Sequence, residues 1–267
     1  MDNDDLPVGR ILSRREALTL LSAAGGTTLS PFGRTDAAAL WKQQTTPACL
    51  ARPEVIEGPY FVDRTLNRSD IRPEPSSGAI TPGVPLTLTF SVSNVTGGAC
   101  VPLEGAVVDV WQCDAAGEYS AFEDRRVGFD TRGKAFLRGW QVTDASGAAR
   151  FTTIYPGWYT GRAVHIHFKI RKDIAQGQTW EFTSQLFFDD RLTDPIHTRA
   201  PYAAKGPRDT RNSVDRFLPK KGGPLVLTLE PRSDGFDTTF RLGLDLGDAA
   251  LGRPDGSRNG PGSRPGG

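Results

Sequence analysis

Residues 164–170 read Val-His-Ile-His-Phe-Lys-Ile and alternate without exception between apolar and polar side chains. A period of two marks a β-strand, because successive side chains leave the pleated backbone on opposite faces. Val164, Ile166, Phe168 and Ile170 then form one face and His165, His167 and Lys169 the other. The apolar face reads as core. The polar face carries two of the three histidines in the chain, with Cα atoms about 6.5–7 Å apart after two strand rises. Rings leaning together from that spacing reach one metal ion. The same pair serves equally well as surface groups on a half-wet strand.

The period recurs along the chain. Leu86, Leu88, Phe90 and Val92 alternate with Thr87, Thr89, Ser91 and Ser93. Residues 106–111 are rich in β-branched side chains and start after Gly105. Residues 140–143 and 150–154 flank Asp144-Ala145-Ser146-Gly147, which predicts a hairpin. Residues 182–188, 225–229 and 238–244 add three more strands. Short strands punctuated by 30 glycines and 20 prolines, with little helical periodicity, predict an all-β fold. The expected architecture is an antiparallel β-sandwich with long loops, any helix being a short one in a loop.

The ends differ from the body. Residues 1–40 carry Arg10, Arg14 and Arg15, then a mildly apolar run at 17–24, then Ala37-Ala38-Ala39. Ser13-Arg14-Arg15-Glu16-Ala17-Leu18 looks like a twin-arginine signal, so export to the periplasm or the outside is expected. Residues 41–80 read as a turn-rich arm, 81–247 as the sandwich, and 248–267 as a disordered tail rich in Gly, Pro and Arg. A formal net charge of +1 gives no reason to expect nucleic acid or an acidic membrane surface as partner. No run is long and apolar enough for a membrane span, and no stable membrane anchor is expected. Cys49, Cys100 and Cys113 allow at most one internal disulfide, its pair left open, and are too sparse for a Cys-rich zinc site.

Just before the histidine pair lies Pro156-Gly157-Trp158-Tyr159-Thr160-Gly161-Arg162, a turn-rich loop that presents a tyrosine and an arginine. A phenolate is a hard anionic oxygen donor. With imidazole it suits a highly charged ion such as Fe(III). Four stretches then bring in a family: Glu57-Gly58-Pro59-Tyr60, Val108-Asp109-Val110-Trp111 through Gly117-Glu118-Tyr119-Ser120, Pro156-Gly157-Trp158-Tyr159, and Arg162-Ala163-Val164-His165-Ile166-His167-Phe168. In this order they resemble the intradiol ring-cleavage dioxygenases, non-haem iron(III) enzymes that include the catechol and protocatechuate dioxygenases. The resemblance extends over most of residues 50–245.

The resemblance implies a site. Tyr119, Tyr159, His165 and His167 match the ligands of Fe(III), with no organic cofactor. Binding to iron lowers a phenol's pKa far below its free value of about 10, so both tyrosinates exist at neutral pH. Tyr119 stays bound, while Tyr159 leaves when substrate arrives and helps take up its proton. Arg162 stabilises negative charge developing on the substrate ring. Gln185 faces the site, and Pro59 and Tyr60 sit near its mouth as substrate contacts alongside Arg162. The implied substrates are a small aromatic diol and O2, and the product is of the muconate type. Two departures matter. The loop from Tyr159 to His165 is shorter than in the well-known members, which leaves the particular catechol open. There is no room for the helical dimerisation region of the catechol dioxygenases, so the chain looks like the protocatechuate-type core, and a homo-oligomer stays open. His197, in Asp194-Pro195-Ile196-His197, reads as a surface loop residue. Two competing readings remain: a secreted β-sandwich binding module with an aromatic platform, and a zinc hydrolase that would need a third ligand beside the histidine pair.

Overall fold

Strand β1 (Pro85–Thr96) runs through the middle of one sheet, with Leu86, Leu88, Phe90 and Val92 fully buried on its inner face. The structure is a computed structural model, and it describes residues 52–63, 66–96, 99–174, 179–219 and 224–247. The expected export signal, the expected tail and Cys49 lie outside the described residues. β1 pairs antiparallel with β7 (Ala148–Ile154) along its first half and with β2 (Ala99–Pro102) at its end. Its other edge pairs in parallel with β11 (Phe236–Leu244), which β10 (Glu230–Pro231) borders. The second sheet is antiparallel, in the order β6 (Arg138–Val142), β3 (Val107–Trp111), β8 (His165–Asp173), β9 (Thr179–Phe187).

The inner faces meet through aromatic rings. Phe90 of β1 lies 5.1 Å from Phe168 of β8, and Phe168 lies 5.5 Å from Phe240 of β11. Burying each such ring contributes about 1.5–3 kcal/mol. The predicted all-β sandwich is therefore observed, with one parallel pairing in it. Cys100 is disulfide-bonded and Cys113 is a buried free thiol.

Three expectations need correcting. The Asp144–Gly147 turn forms, closed by the Gly147 N–H on the Asp144 carbonyl at 2.8 Å, but it makes no hairpin. β6 goes to β3 and β7 goes to β1, so the turn is a corner between sheets. A tight turn fixes only a reversal of direction; the faces that the two strands bury choose their partners. Residues 225–229 form no strand beyond a single bridge from Val226 to Phe187, although Leu225 and Leu227 are buried there.

The third correction concerns β8. Its polar face is dry: His165, His167 and Lys169 are 2%, 0% and 4% exposed. The segment at 52–63 lies across it. Val55 N–H donates to the Thr183 carbonyl at 3.1 Å, and Gln185 Nε2 donates to the Ile56 carbonyl at 2.8 Å. Lys169 pairs with Glu57 and sits 4.5 Å from the centre of the Phe61 ring. A buried ammonium needs such a partner.

Candidate metal centre

Two loops deliver the tyrosines. Tyr119 ends the loop leaving β3, and Tyr159 lies in the loop entering β8. The loops pack backbone on backbone: Gly157 N–H donates to the Asp114 carbonyl at 3.0 Å, and a Cβ on Gly157 would stand 2.3 Å from that oxygen. Only glycine permits this approach. The Tyr119 and Tyr159 ring centres come to 5.6 Å as a result. The neighbours of Tyr159 point elsewhere. Tyr155 bonds Thr193 through its hydroxyl, and Trp158 donates its Nε1 proton to the Gly206 carbonyl.

The histidines project from β8 onto the same spot. His165 Nδ1 lies 2.7 Å from the Ala163 carbonyl, which can only accept. The proton therefore sits on Nδ1, and Nε2 presents a lone pair to the site. That Nε2 is 2.9 Å from His167 Nε2 and 3.4 Å from the Tyr119 hydroxyl. The His167 ring stacks on Trp111 at 5.0 Å, and its buried Nδ1 has no hydrogen-bond partner among the described residues. Gly58 allows the 52–63 segment to touch this ring: at φ +77°, its Cβ position is 3.1 Å from His167 Cε1.

Burial sets the protonation states. It holds both imidazoles well below their ordinary pKa, helped by the positive charge of Arg162. It pushes the Tyr119 phenol well above its ordinary value, and Tyr159 upward too, against the pull of Arg162. Burial thus favours the neutral form of all four groups, with the Tyr119 hydroxyl and both imidazole Nε2 atoms close together.

Arg162 is the charge beside them. Nη1 lies 3.5 Å from both the Tyr159 hydroxyl and His165 Nε2, and Nη2 donates to Gln185 Oε1. Gln185 is thereby engaged at both ends of its amide. Tyr60 stacks on Tyr119 with ring centres 4.2 Å apart and stands edge-on to Tyr159 at 5.9 Å. Its hydroxyl donates to Asp124 at 2.5 Å and so points away from the four donors. Burial, then Asp124, raises its pKa. Pro59 is exposed on the adjoining turn.

His197 is not at the surface. It closes a short helix, α1 (Asp190–His197), is buried, stacks on Tyr202 at 5.0 Å and donates from Nε2 to the Pro156 carbonyl at 3.0 Å. The Asp189 side chain caps that helix, a signal outweighed in the sequence by Pro195. Two site residues escaped sequence reasoning. Arg138 donates to the Ser120 hydroxyl and carbonyl at 2.8 and 2.6 Å and to the Tyr60 carbonyl at 3.2 Å. Asp215 accepts from Arg162 Nε at 2.9 Å. Both act across long sequence separations and belong to no local pattern.

The profile of a family described as Dioxygenase matches residues 56–214, more than half of the chain. The chain belongs to the intradiol ring-cleavage dioxygenase family. An intradiol ring-cleavage dioxygenase of Tetranychus urticae is 33% identical, covers 74% of this chain and 94% of its own, and superposes with a TM-score of 0.61. Catechol 1,2-dioxygenase 1 of Acinetobacter lwoffii is 29% identical over 52% of this chain and 49% of its own length. The protocatechuate 3,4-dioxygenase beta chain of Burkholderia cepacia is 35% identical over 43% of this chain and 51% of its own length. The chain spans about half the length of the curated relatives it matches.

The residues of this intradiol dioxygenase fit the family's ferric ion. Among the described residues, no three or more His, Cys, Asp or Glu side chains come together to hold a metal. A metal at the histidine pair would find the tyrosine oxygens as its nearest further protein donors, a set suited to a hard trivalent ion. The bare Nε2 of His165 and the inward hydroxyl of Tyr119 supply donors without rearrangement of the backbone. The same geometry leaves the zinc-hydrolase reading without its third conventional ligand among the described residues.

Proposed function

We propose that this protein is a non-haem iron(III) dioxygenase that opens a catechol-type aromatic diol between its two hydroxyls with O2, giving a muconate-type product. The observation that carries this is the convergence of two phenols and two neutral imidazoles beside one fixed guanidinium, all but the partly buried Tyr159 enclosed. Tyr119, Tyr159, His165 and His167 would hold the metal. A ferric ion held there would supply Lewis acidity toward the oxygens of the diol.

The chain's own residues do the rest. Tyr119 is fully enclosed, and Arg138 pins its loop through Ser120, which suits a permanent ligand. Tyr159 is only partly buried, so it is the phenol that an incoming diol reaches first. Held as the phenolate by the metal, Tyr159 would accept a proton from the diol as it gives way. Arg162 holds positive charge where the ring becomes electron-rich. Gln185 acts through Arg162. Pro59 and Tyr60 border the entry, Tyr60 through its ring because its hydroxyl is committed to Asp124. The aromatic cluster of Tyr60, Trp111, Tyr119 and Phe129 keeps bulk water from the donors.

The reading as a binding module with an exposed aromatic platform is disfavoured because these rings are buried. The amino-terminal sequence further supports a proposal of twin-arginine export, tested by locating the protein after replacing Arg14 and Arg15 with lysine. The enzymatic reading is tested by iron analysis, visible absorption and oxygen uptake over a panel of catechols. About one ferric ion per chain, a tyrosinate charge-transfer band and a product cut between the hydroxyls are expected. A colourless, iron-free protein that takes up no oxygen would overturn it.

A further inference from the structure

Asp215 lies far from the histidine strand in sequence, yet its side chain is fully buried beside it. Its Oδ2 accepts from Arg162 Nε at 2.9 Å and from the Ala163 backbone N–H at 2.7 Å. Its Oδ1 accepts from the backbone N–H groups of Phe217 and Leu218 at 2.8 and 3.2 Å. Both oxygens are therefore spoken for, and neither is available to substrate. The same segment lays the Phe217 ring 4.5 Å from the Arg162 guanidinium carbon. Gln185 takes the Nη2 edge. Of the planar fork, Nη1 is left, and it faces Tyr159 and His165 at 3.5 Å.

An arginine in a loop ordinarily samples many rotamers, and holding one costs side-chain entropy. Here the fold has fixed the rotamer before substrate arrives, which is the condition for electrostatic stabilisation of a developing anion. The tie to Ala163 adds a second effect, because the carbonyl of Ala163 receives the Nδ1 proton of His165. One carboxylate thus braces the segment that aims both the guanidinium and an imidazole. We propose that Asp215 is the positioning residue of the reaction: it locks Arg162 so that Nη1 alone faces the diol. This rests on the function proposed above.

The test compares Asp215→Asn, Arg162→Gln and the double variant in the full-length, iron-loaded protein. Asn keeps an oxygen for the Ala163 N–H but removes the charge that holds the guanidinium. Asp215→Asn is expected to keep its iron and visible band, with KM little changed and kcat lowered about 10–100-fold, as for other supporting partners of a metal site. The double variant is expected to be no slower than Arg162→Gln alone, since the two residues act as one unit. A wild-type kcat in Asp215→Asn, or losses that multiply in the double variant, would overturn the proposal. Asp215→Asn leaves a buried guanidinium unpaired and can fail to fold. The comparison of Arg162→Gln with the double variant, which buries no unpaired charge, then decides alone: equal kcat supports the lock and a further tenfold loss overturns it. A readout free of turnover separates this from the broader reading. In the metal-free protein, hydrogen exchange of the Arg162 Nε–H, assigned by its absence in Arg162→Gln, is expected to be slow in wild type. Fast exchange there overturns the lock. Slow exchange in a wild type that opens no catechol upholds the lock and overturns only the reaction assigned to it.

Discussion

His165 gives its Nδ1 proton to the carbonyl of Ala163, 2.7 Å away, and turns a bare Nε2 toward Tyr119. A backbone carbonyl two residues back thus sets the tautomer of His165, one of the proposed metal ligands. Replacement of His165 by alanine, or of Tyr119 by phenylalanine, removes a donor whose neighbours are too buried for water to substitute freely. Both variants are expected to purify without stoichiometric iron, without visible colour and without catechol cleavage. Iron analysis and absorption spectra check this, and a coloured, active His165→Ala would end the ligand assignment.

Tyr159 differs from Tyr119 in exposure, and the difference predicts different phenotypes. Tyr159→Phe keeps three donors, including the enclosed Tyr119, so some iron should remain with an altered charge-transfer band. The proton acceptor for the diol is lost, and general acid–base groups of this kind contribute about 10²–10⁴-fold to rate. Steady-state kinetics should show kcat falling by an amount in that range, with anaerobic catechol binding still visible as a change in the spectrum.

Arg138 predicts a loss of stability that activity assays alone would misread. Its guanidinium is buried and makes three hydrogen bonds to Ser120 and Tyr60, and burial holds its pKa down to about 10. Arg138→Met keeps much of the volume but strands two buried carbonyls. Each unsatisfied acceptor costs about 1–3 kcal/mol. Denaturant unfolding should show a loss of about 2–4 kcal/mol, with Tyr119 loosened and iron affinity reduced.

The strands were legible because apolar and polar side chains alternate in the sequence of β1 and β8. The four candidate donors were legible because three of the quoted stretches carry them in a fixed order. The burial of the polar face of β8 was not, since it depends on where the 52–63 segment docks, and nothing near His165 encodes that. Arg138 and Asp215 stayed hidden for the same reason: a buried ion or hydrogen-bond partner is chosen by proximity in the fold. His197 was misplaced because Pro195 suggests a loop, while the cap at Asp189 and the stack on Tyr202 hold a helix there.

His197 also sets an acid limit. Burial lowers its pKa from 6.5 to about 4 while Nε2 keeps its bond to the Pro156 carbonyl. Between those values the unfolded chain binds a proton that the folded chain refuses, so stability is lost as pH falls from 6.5 toward 4. His197→Gln retains a donor for Pro156 but cannot titrate. Thermal midpoints measured across that window should fall less steeply for the variant than for the parent, and parallel curves would refute the assignment. The effect of His165 and His167 is common to both proteins and cancels in the comparison.

Gly58 couples the covering segment to His167, a proposed metal ligand. Its φ of +77° is one that side chains avoid, and a Cβ there would sit 3.1 Å from His167 Cε1. Gly58→Ala should cost about 1–2 kcal/mol in backbone strain alone. The contact adds an edge-on push at Cε1 of an imidazole whose face is stacked on Trp111. Either the ring tilts or the 52–63 segment lifts. A tilted ring changes the visible band of the iron-loaded protein without releasing the metal. A lifted segment breaks the Gln185–Ile56 and Lys169–Glu57 contacts and opens the polar face of β8 to protease and hydrogen exchange. The absorption spectrum, read beside exchange at residues 165–171, tells which gives way. A variant with unchanged spectrum, exchange and stability would mean that the segment does not press on His167 at all.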